Sequence, residues 1–60
     1  MSEYEKKVKV AMINKGIATY KELSNILGIT QSYMSDIVTG ARKATNVRQK
    51  INDFLEIEGD

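Results

Sequence analysis

The sequence predicts an all-α fold, a compact bundle of four short helices containing a helix-turn-helix. Three observations carry this. Ser2 with Glu5, and Thr19 with Glu22, form S/T-x-x-E capping boxes, in which a hydroxyl and a carboxylate satisfy backbone N–H groups orphaned at a helix start. The apolar residues behind each start recur three and four positions apart instead of alternating, which is helical spacing. Gly16 and Gly28 stand where the first two apolar stripes stop, and glycine alone enters the left-handed C′ conformation without steric cost.

The first helix is expected to begin at Glu3 and run to about Asn14. Tyr4, Val8, Ala11 and Met12, with the stem of Lys15, trace one face, and Val10 and Ile13 widen it. Glu3 with Lys7 and Glu5 with Lys9 are i, i+4 pairs in the favourable orientation. The charge cluster containing them, with Lys6, therefore reads as a solvated face and not as a phosphate-facing arm. Gly16 followed by the hydrophobic Ile17 suits a Schellman stop.

The second helix starts at its capping box, with Leu23, Ile26 and Leu27 as its stripe and Lys21, Glu22 and Asn25 outside. It ends at Gly28, beyond which Ile29 can pack into the angle between helices and Thr30 can cap the next one. In that third helix Met34 and Ile37 point inward, which leaves Gln31, Ser32, Ser35, Asp36 and Thr39 outward. Ser24 is small where the two helices cross most closely. Two short helices about a sharp turn, the second presenting small polar residues on its free face, are how a protein reads DNA in the major groove.

After Gly40 a loop over residues 41–44 leads to a last helix capped by Thr45 or Asn46. Val47, Ile51, Phe54 and Leu55 fall at i, i+4, i+7 and i+8, and Ile57 follows. Glu56, Glu58, Gly59 and Asp60 form an acidic tail expected to fray, because negative charge opposes the dipole at a helix C-terminus. No internal repeat, low-complexity segment or linker interrupts the chain, so residues 1–60 are read as one domain.

Composition narrows the function. A 60-residue chain buries only about 60% of the surface it exposes when unfolded, so its stability is thin. With no cysteine and no histidine, disulfides, the usual zinc spacings and Ser/His or Cys/His catalytic pairs are excluded, and neither metal nor cofactor is expected. No apolar stretch reaches the length of a membrane span, and the N-terminus lacks a signal-peptide core, so a soluble, cytoplasmic protein without membrane contact is expected. A net charge of +1 argues neither for nor against nucleic acid, but its distribution is uneven. Residues 1–45 carry seven basic and four acidic groups, net +3, whereas residues 46–60 carry two basic and four acidic groups, net −2.

The segment LSNILGITQSYMSDIVTGARK, with Leu23, small Ser24, Leu27-Gly28-Ile29, Gln31-Ser32, apolar Met34 and Ile37, Gly40 and the basic pair Arg42-Lys43, resembles the helix-turn-helix of the lambdoid phage repressor and Cro (XRE) class of DNA-binding regulators. The resemblance spans roughly residues 8–45 and implies a lambda repressor-like fold, shortened at the C-terminus. It implies that Gln31, Ser32 and Ser35 approach base edges and that Thr39, Arg42 and Lys43 lie near phosphates. Three departures stand out. Ala18 looks like an insertion before the second helix. Tyr20 stands where the family often has a glutamine, and is either a phosphate contact through its hydroxyl or a plain surface tyrosine. Many relatives also pair an arginine late in the first helix with a glutamate near the end of the recognition helix. The matching places here are Met12 or Ile13 and Val38, expected to pack together in place of the ion pair.

On this reading the third helix lies in the major groove. Gln31 offers an amide that matches adenine N6–H and N7, while Ser32 and Ser35 serve several bases. Asp36 either accepts from cytosine N4 or repels phosphate and spaces the face. Tyr33 either meets a thymine methyl or packs on the sugar-phosphate wall. Thr19, Tyr20 and Thr30, at helix N-termini with free N–H groups, join Thr39, Arg42 and Lys43 as expected backbone contacts. The family usually carries a further helix, so some of Phe54, Leu55 and Ile57 are expected to lack an internal partner and meet a second copy, giving a homodimer on an inverted-repeat operator of double-stranded DNA. The expected function is regulation of transcription by occupancy, as a repressor or Cro-like protein, with no enzymatic activity and no small-molecule substrate. The rival expectation is a protein-interaction module on the same fold, such as an antirepressor binding another regulator.

Overall fold

The computed structural model describes residues 2–58 and is all-helical there. Four helices follow one another: α1 (Glu3–Lys15), α2 (Tyr20–Leu27), α3 (Gln31–Thr39) and α4 (Thr45–Leu55). α3 packs against both α1 and α2, and α4 closes onto α1. Gly59 and Asp60, the end of the acidic tail, lie outside the described residues.

Local chemistry sets each of the first three helix starts. The hydroxyl oxygens of Ser2, Thr19 and Thr30 accept from the backbone N–H of Glu5, Glu22 and Tyr33 at 3.1, 3.2 and 3.1 Å. The return arm of the second box reaches one residue further back than the motif implies, with Ala18 N–H donating to Glu22 Oε1 at 3.4 Å. The first two stops are Schellman motifs. Gly16 N–H bonds Ile13 O and Ile17 N–H bonds Met12 O, and around Gly28 the same pair runs to Asn25 O and Ser24 O. Gly28 has φ +74, and a Cβ built there meets nothing within 4 Å, so backbone conformation and not space excludes other residues.

Tyr4, Val8, Met12, Ile17, Leu23, Met34, Ile37, Val38, Ile51 and Leu55 form the core. Met12 and Val38 are both buried in it, whereas Ile13 is 76% exposed. Of the two candidate partners for Val38, only Met12 therefore faces the core. Val38 supplies a second tie, because its carbonyl accepts from the Ser2 hydroxyl at 3.3 Å and so joins the start of α1 to the end of α3.

Three expectations are corrected. Val10 and Ile13 do not widen the inner face of α1, because Tyr4, Val8 and Met12, with Ala11 beside them, fill the arc it presents to its neighbours. Ile26 is 50% exposed, turned off the Leu23 side of α2. Neither Thr45 nor Asn46 caps α4: Ala44 takes a left-handed conformation, φ +39, and its backbone begins the helix without a side-chain bond. Leu55, 3% exposed, is buried within its own molecule, so of the three candidate dimer residues it is the one that the core encloses.

Two unpredicted polar links fix α4. Tyr4 Oη donates to the buried Asn52 Oδ1 at 2.8 Å, and the Arg48 guanidinium stacks on the Tyr4 ring with its carbon 3.8 Å from the centroid. At the other end Lys15 Nζ lies 3.3 Å from a Glu56 carboxylate oxygen and 5.3 Å from the Phe54 ring centre. Glu56 adopts a left-handed conformation and Ile57 N–H bonds back to Asn52 O, so Ile57 folds onto the core beyond the last turn.

Candidate nucleic-acid interface

α3 is a nine-residue helix whose inner side is fixed by packing. Met34, Ile37 and Val38 are buried, and this leaves Gln31, Ser32 and Thr39 exposed, with Ser35 and Asp36 half-buried between them. The structure thus brings the predicted base-facing residues onto one helix, with Gln31 and Ser32 at its N-terminal end. Arg42 and Lys43 follow just past Gly40, and both are exposed.

Three of the last four carbonyls of α3, those of Asp36, Ile37 and Val38, find donors. Its last carbonyls would lack intrahelical donors. Here Arg42 N–H bonds Asp36 O at 3.1 Å, Gly40 N–H bonds Ile37 O at 3.2 Å and the Ser2 hydroxyl bonds Val38 O. The Thr39 hydroxyl donates to Ser35 O at 2.9 Å. That proton is therefore engaged, and Thr39 presents lone pairs to its surroundings, the wrong polarity for a phosphate oxygen. Thr19 and Thr30 differ, because their oxygens accept the capping bonds and their protons stay free to donate.

Tyr20 departs from its expected role as a backbone contact. Its hydroxyl oxygen is buried and, among the described residues, has no hydrogen-bond partner. Burial, with a smaller contribution from the Glu5 charge, raises its pKa above the usual tyrosine value of 10.0. A hydroxyl turned inward offers nothing to a phosphate, and one without a partner costs about 1–3 kcal/mol. Tyr20→Phe is accordingly expected to raise stability by about 1 kcal/mol, read as a higher urea midpoint at unchanged slope. The raised pKa has a definite sign. Unfolded chains release this proton near pH 10 while folded ones retain it, so Tyr20 makes the fold lose stability as pH rises above 10, and the Phe variant loses less there.

Tyr33 is half-buried at the other edge of the face. The Arg42 guanidinium carbon lies 5.2 Å from its ring centroid, a cation–π distance. Its expected thymine or sugar-phosphate contact therefore meets a competing occupant already in place. Sequence reading missed this pair, because nine positions and a turn separate the two residues and no periodicity links them.

Ser24 is buried at 2% exposure and donates to Lys21 O at 2.9 Å, which satisfies the hydroxyl within its own helix at a position where α2 and α3 pack together. Among the described residues no group of three or more His, Cys, Asp or Glu is placed to hold a metal ion, and no helix is long and apolar enough to cross a membrane. Compared with protein-family models, with curated proteins and with solved structures, the chain finds no match in any of the three.

Proposed function

We propose that this chain is a sequence-specific double-stranded DNA-binding protein and acts as a small transcriptional regulator of the phage repressor or Cro type. The observation that carries the reading is the division of α3. One side is locked into the core through Met34, Ile37 and Val38, and the other offers Gln31, Ser32 and Ser35, with Arg42 and Lys43 following the helix. Such a helix sits in the major groove with its N-terminal residues toward base edges, and Gln31 supplies the bidentate donor and acceptor that adenine requires. Arg42 and Lys43, with the free hydroxyl protons of Thr19 and Thr30, hold the backbone. Asp36, beside the carbonyl that anchors the Arg42 loop, spaces the face.

Regulation then proceeds by occupancy in the cytoplasm, without chemistry or cofactor. One copy makes few contacts, so useful specificity calls for two copies on an inverted repeat. Phe54 and Ile57, each half-buried, are the residues of the α4 end still open to a second copy. The exposed Val10 and Ile13 favour a second reading, a module that docks on another regulator. Salt separates the two. Phosphate contacts make the log of the DNA affinity fall steeply and linearly with the log of salt concentration. A titration of the chain onto duplexes should show that slope, and DNA binding that is absent or insensitive to salt would favour the docking module.

A further inference from the structure

We infer that Tyr33 is a positioning residue: its ring is a platform that holds the Arg42 guanidinium in place for a phosphate, and it reads no base. The inference rests on the DNA-binding reading and assigns a division of labour within it. Arg42 is tethered twice, through its backbone N–H to Asp36 O at 3.1 Å and through its guanidinium over the Tyr33 ring at 5.2 Å. These ties fasten an exposed loop cation to the recognition helix from both ends of the residue. Among the described residues the Arg42 side chain makes no ion pair.

The choice of partner matters chemically. A carboxylate would hold the guanidinium by consuming its N–H donors and cancelling its charge. An aromatic face attracts it without cancelling its charge or taking a carboxylate's share of its N–H donors, which leaves both for a bidentate phosphate. Tyr33 suits the task because its own place is determined: its N–H is bonded by Thr30 and its ring packs partly against the core. The ring so covered is also unavailable as a flat apolar contact for a thymine methyl. Arginine carries more rotamer freedom than most side chains, and ordering it before the encounter removes that cost from binding.

The test combines a measurement on the free protein with one on DNA. In NMR spectra of the unbound chain, the Arg42 side-chain methylene protons should show a ring-current shift that survives Tyr33→Phe and disappears in Tyr33→Leu, which keeps apolar bulk on the core. On a duplex selected with the unmodified chain, Tyr33→Phe should bind as tightly as the original. Tyr33→Leu should bind about three- to tenfold more weakly on every sequence without altering base preference. Added to Arg42→Ala, Tyr33→Leu should cause no further loss, because the platform then has nothing to hold. Thermal unfolding of each variant excludes loss of fold as the cause. Losses that add in the double variant, a changed preference at one base pair in Tyr33→Leu, or the absence of the ring-current shift would overturn the role of Tyr33. A chain that binds no duplex at all would overturn the DNA-binding reading, and this role with it, even where the ring-current shift is present.

Discussion

Replacing Ile37 with alanine is expected to cost about 2–5 kcal/mol, the range for emptying a fully buried aliphatic site. Ile37 has no exposed surface and lies on α3, the helix that packs on both α1 and α2, so few neighbours can relax into the space without disturbing α3 itself. At the usual ~0.05–0.15 kcal/mol per residue, a domain of this length is stable by about 3–9 kcal/mol. The substitution therefore takes a large part of that margin, and the urea midpoint should fall in proportion. Urea titration followed by helical circular dichroism checks this. Ile13→Ala is the matched control, the same chemical change at a residue 76% exposed, expected within about 0.5 kcal/mol of the original. Equal midpoints for the two variants would show that α3 is not anchored as described.

Gln31→Ala is expected to leave stability nearly unchanged and to remove about 1–3 kcal/mol of discrimination at one base pair of each half-site. Gln31 begins α3, its side chain is exposed, and the bond capping that start belongs to Thr30 and not to it. Removing the amide therefore leaves the helix intact while deleting the group that can both donate and accept along one base edge. Competition between duplexes differing at single positions measures the effect. Ser32→Ala should lose far less, because a hydroxyl serves several bases equally. Uniform weakening across all duplexes would instead make Gln31 a backbone contact.

The helix starts and stops were legible because capping is local. Ser2, Thr19 and Thr30 act within three residues of themselves, and Gly16 and Gly28 answer a backbone need that no other residue meets as cheaply. Met34 and Ile37 were likewise readable as inward from spacing alone. What spacing cannot supply is the number of neighbours around a helix. Val10, Ile13 and Ile26 are apolar at helical intervals, yet α1 and α2 bury only the arc that faces another helix, and these three fall beyond it. The start of α4 failed for a different reason, since Ala44 provides backbone shape where a side-chain cap was expected. Contacts between distant positions were invisible for the same physical cause: the Tyr4 bond to Asn52 spans 48 residues, and only the closed bundle brings its ends together.

In the candidate site, the grouping of Gln31, Ser32, Ser35 and Asp36 on one helix followed from the inward pair that frames them. Their polar states did not. Whether a hydroxyl proton is free, as on Thr30, or spent on a carbonyl, as on Thr39, depends on where each stands relative to the helix end. Tyr20 is the clearest case, a residue whose phenol reads as surface chemistry until the fold encloses it.

The decisive measurement is selection of bound sequences from a random pool of double-stranded DNA. Enrichment of an inverted repeat is expected, with half-sites about one helical turn apart and an adenine-containing position in each that loses its preference when Gln31→Ala is used in the selection. A pool that stays unenriched at low salt, or an enriched motif that Gln31→Ala leaves untouched, would contradict sequence-specific DNA binding through α3.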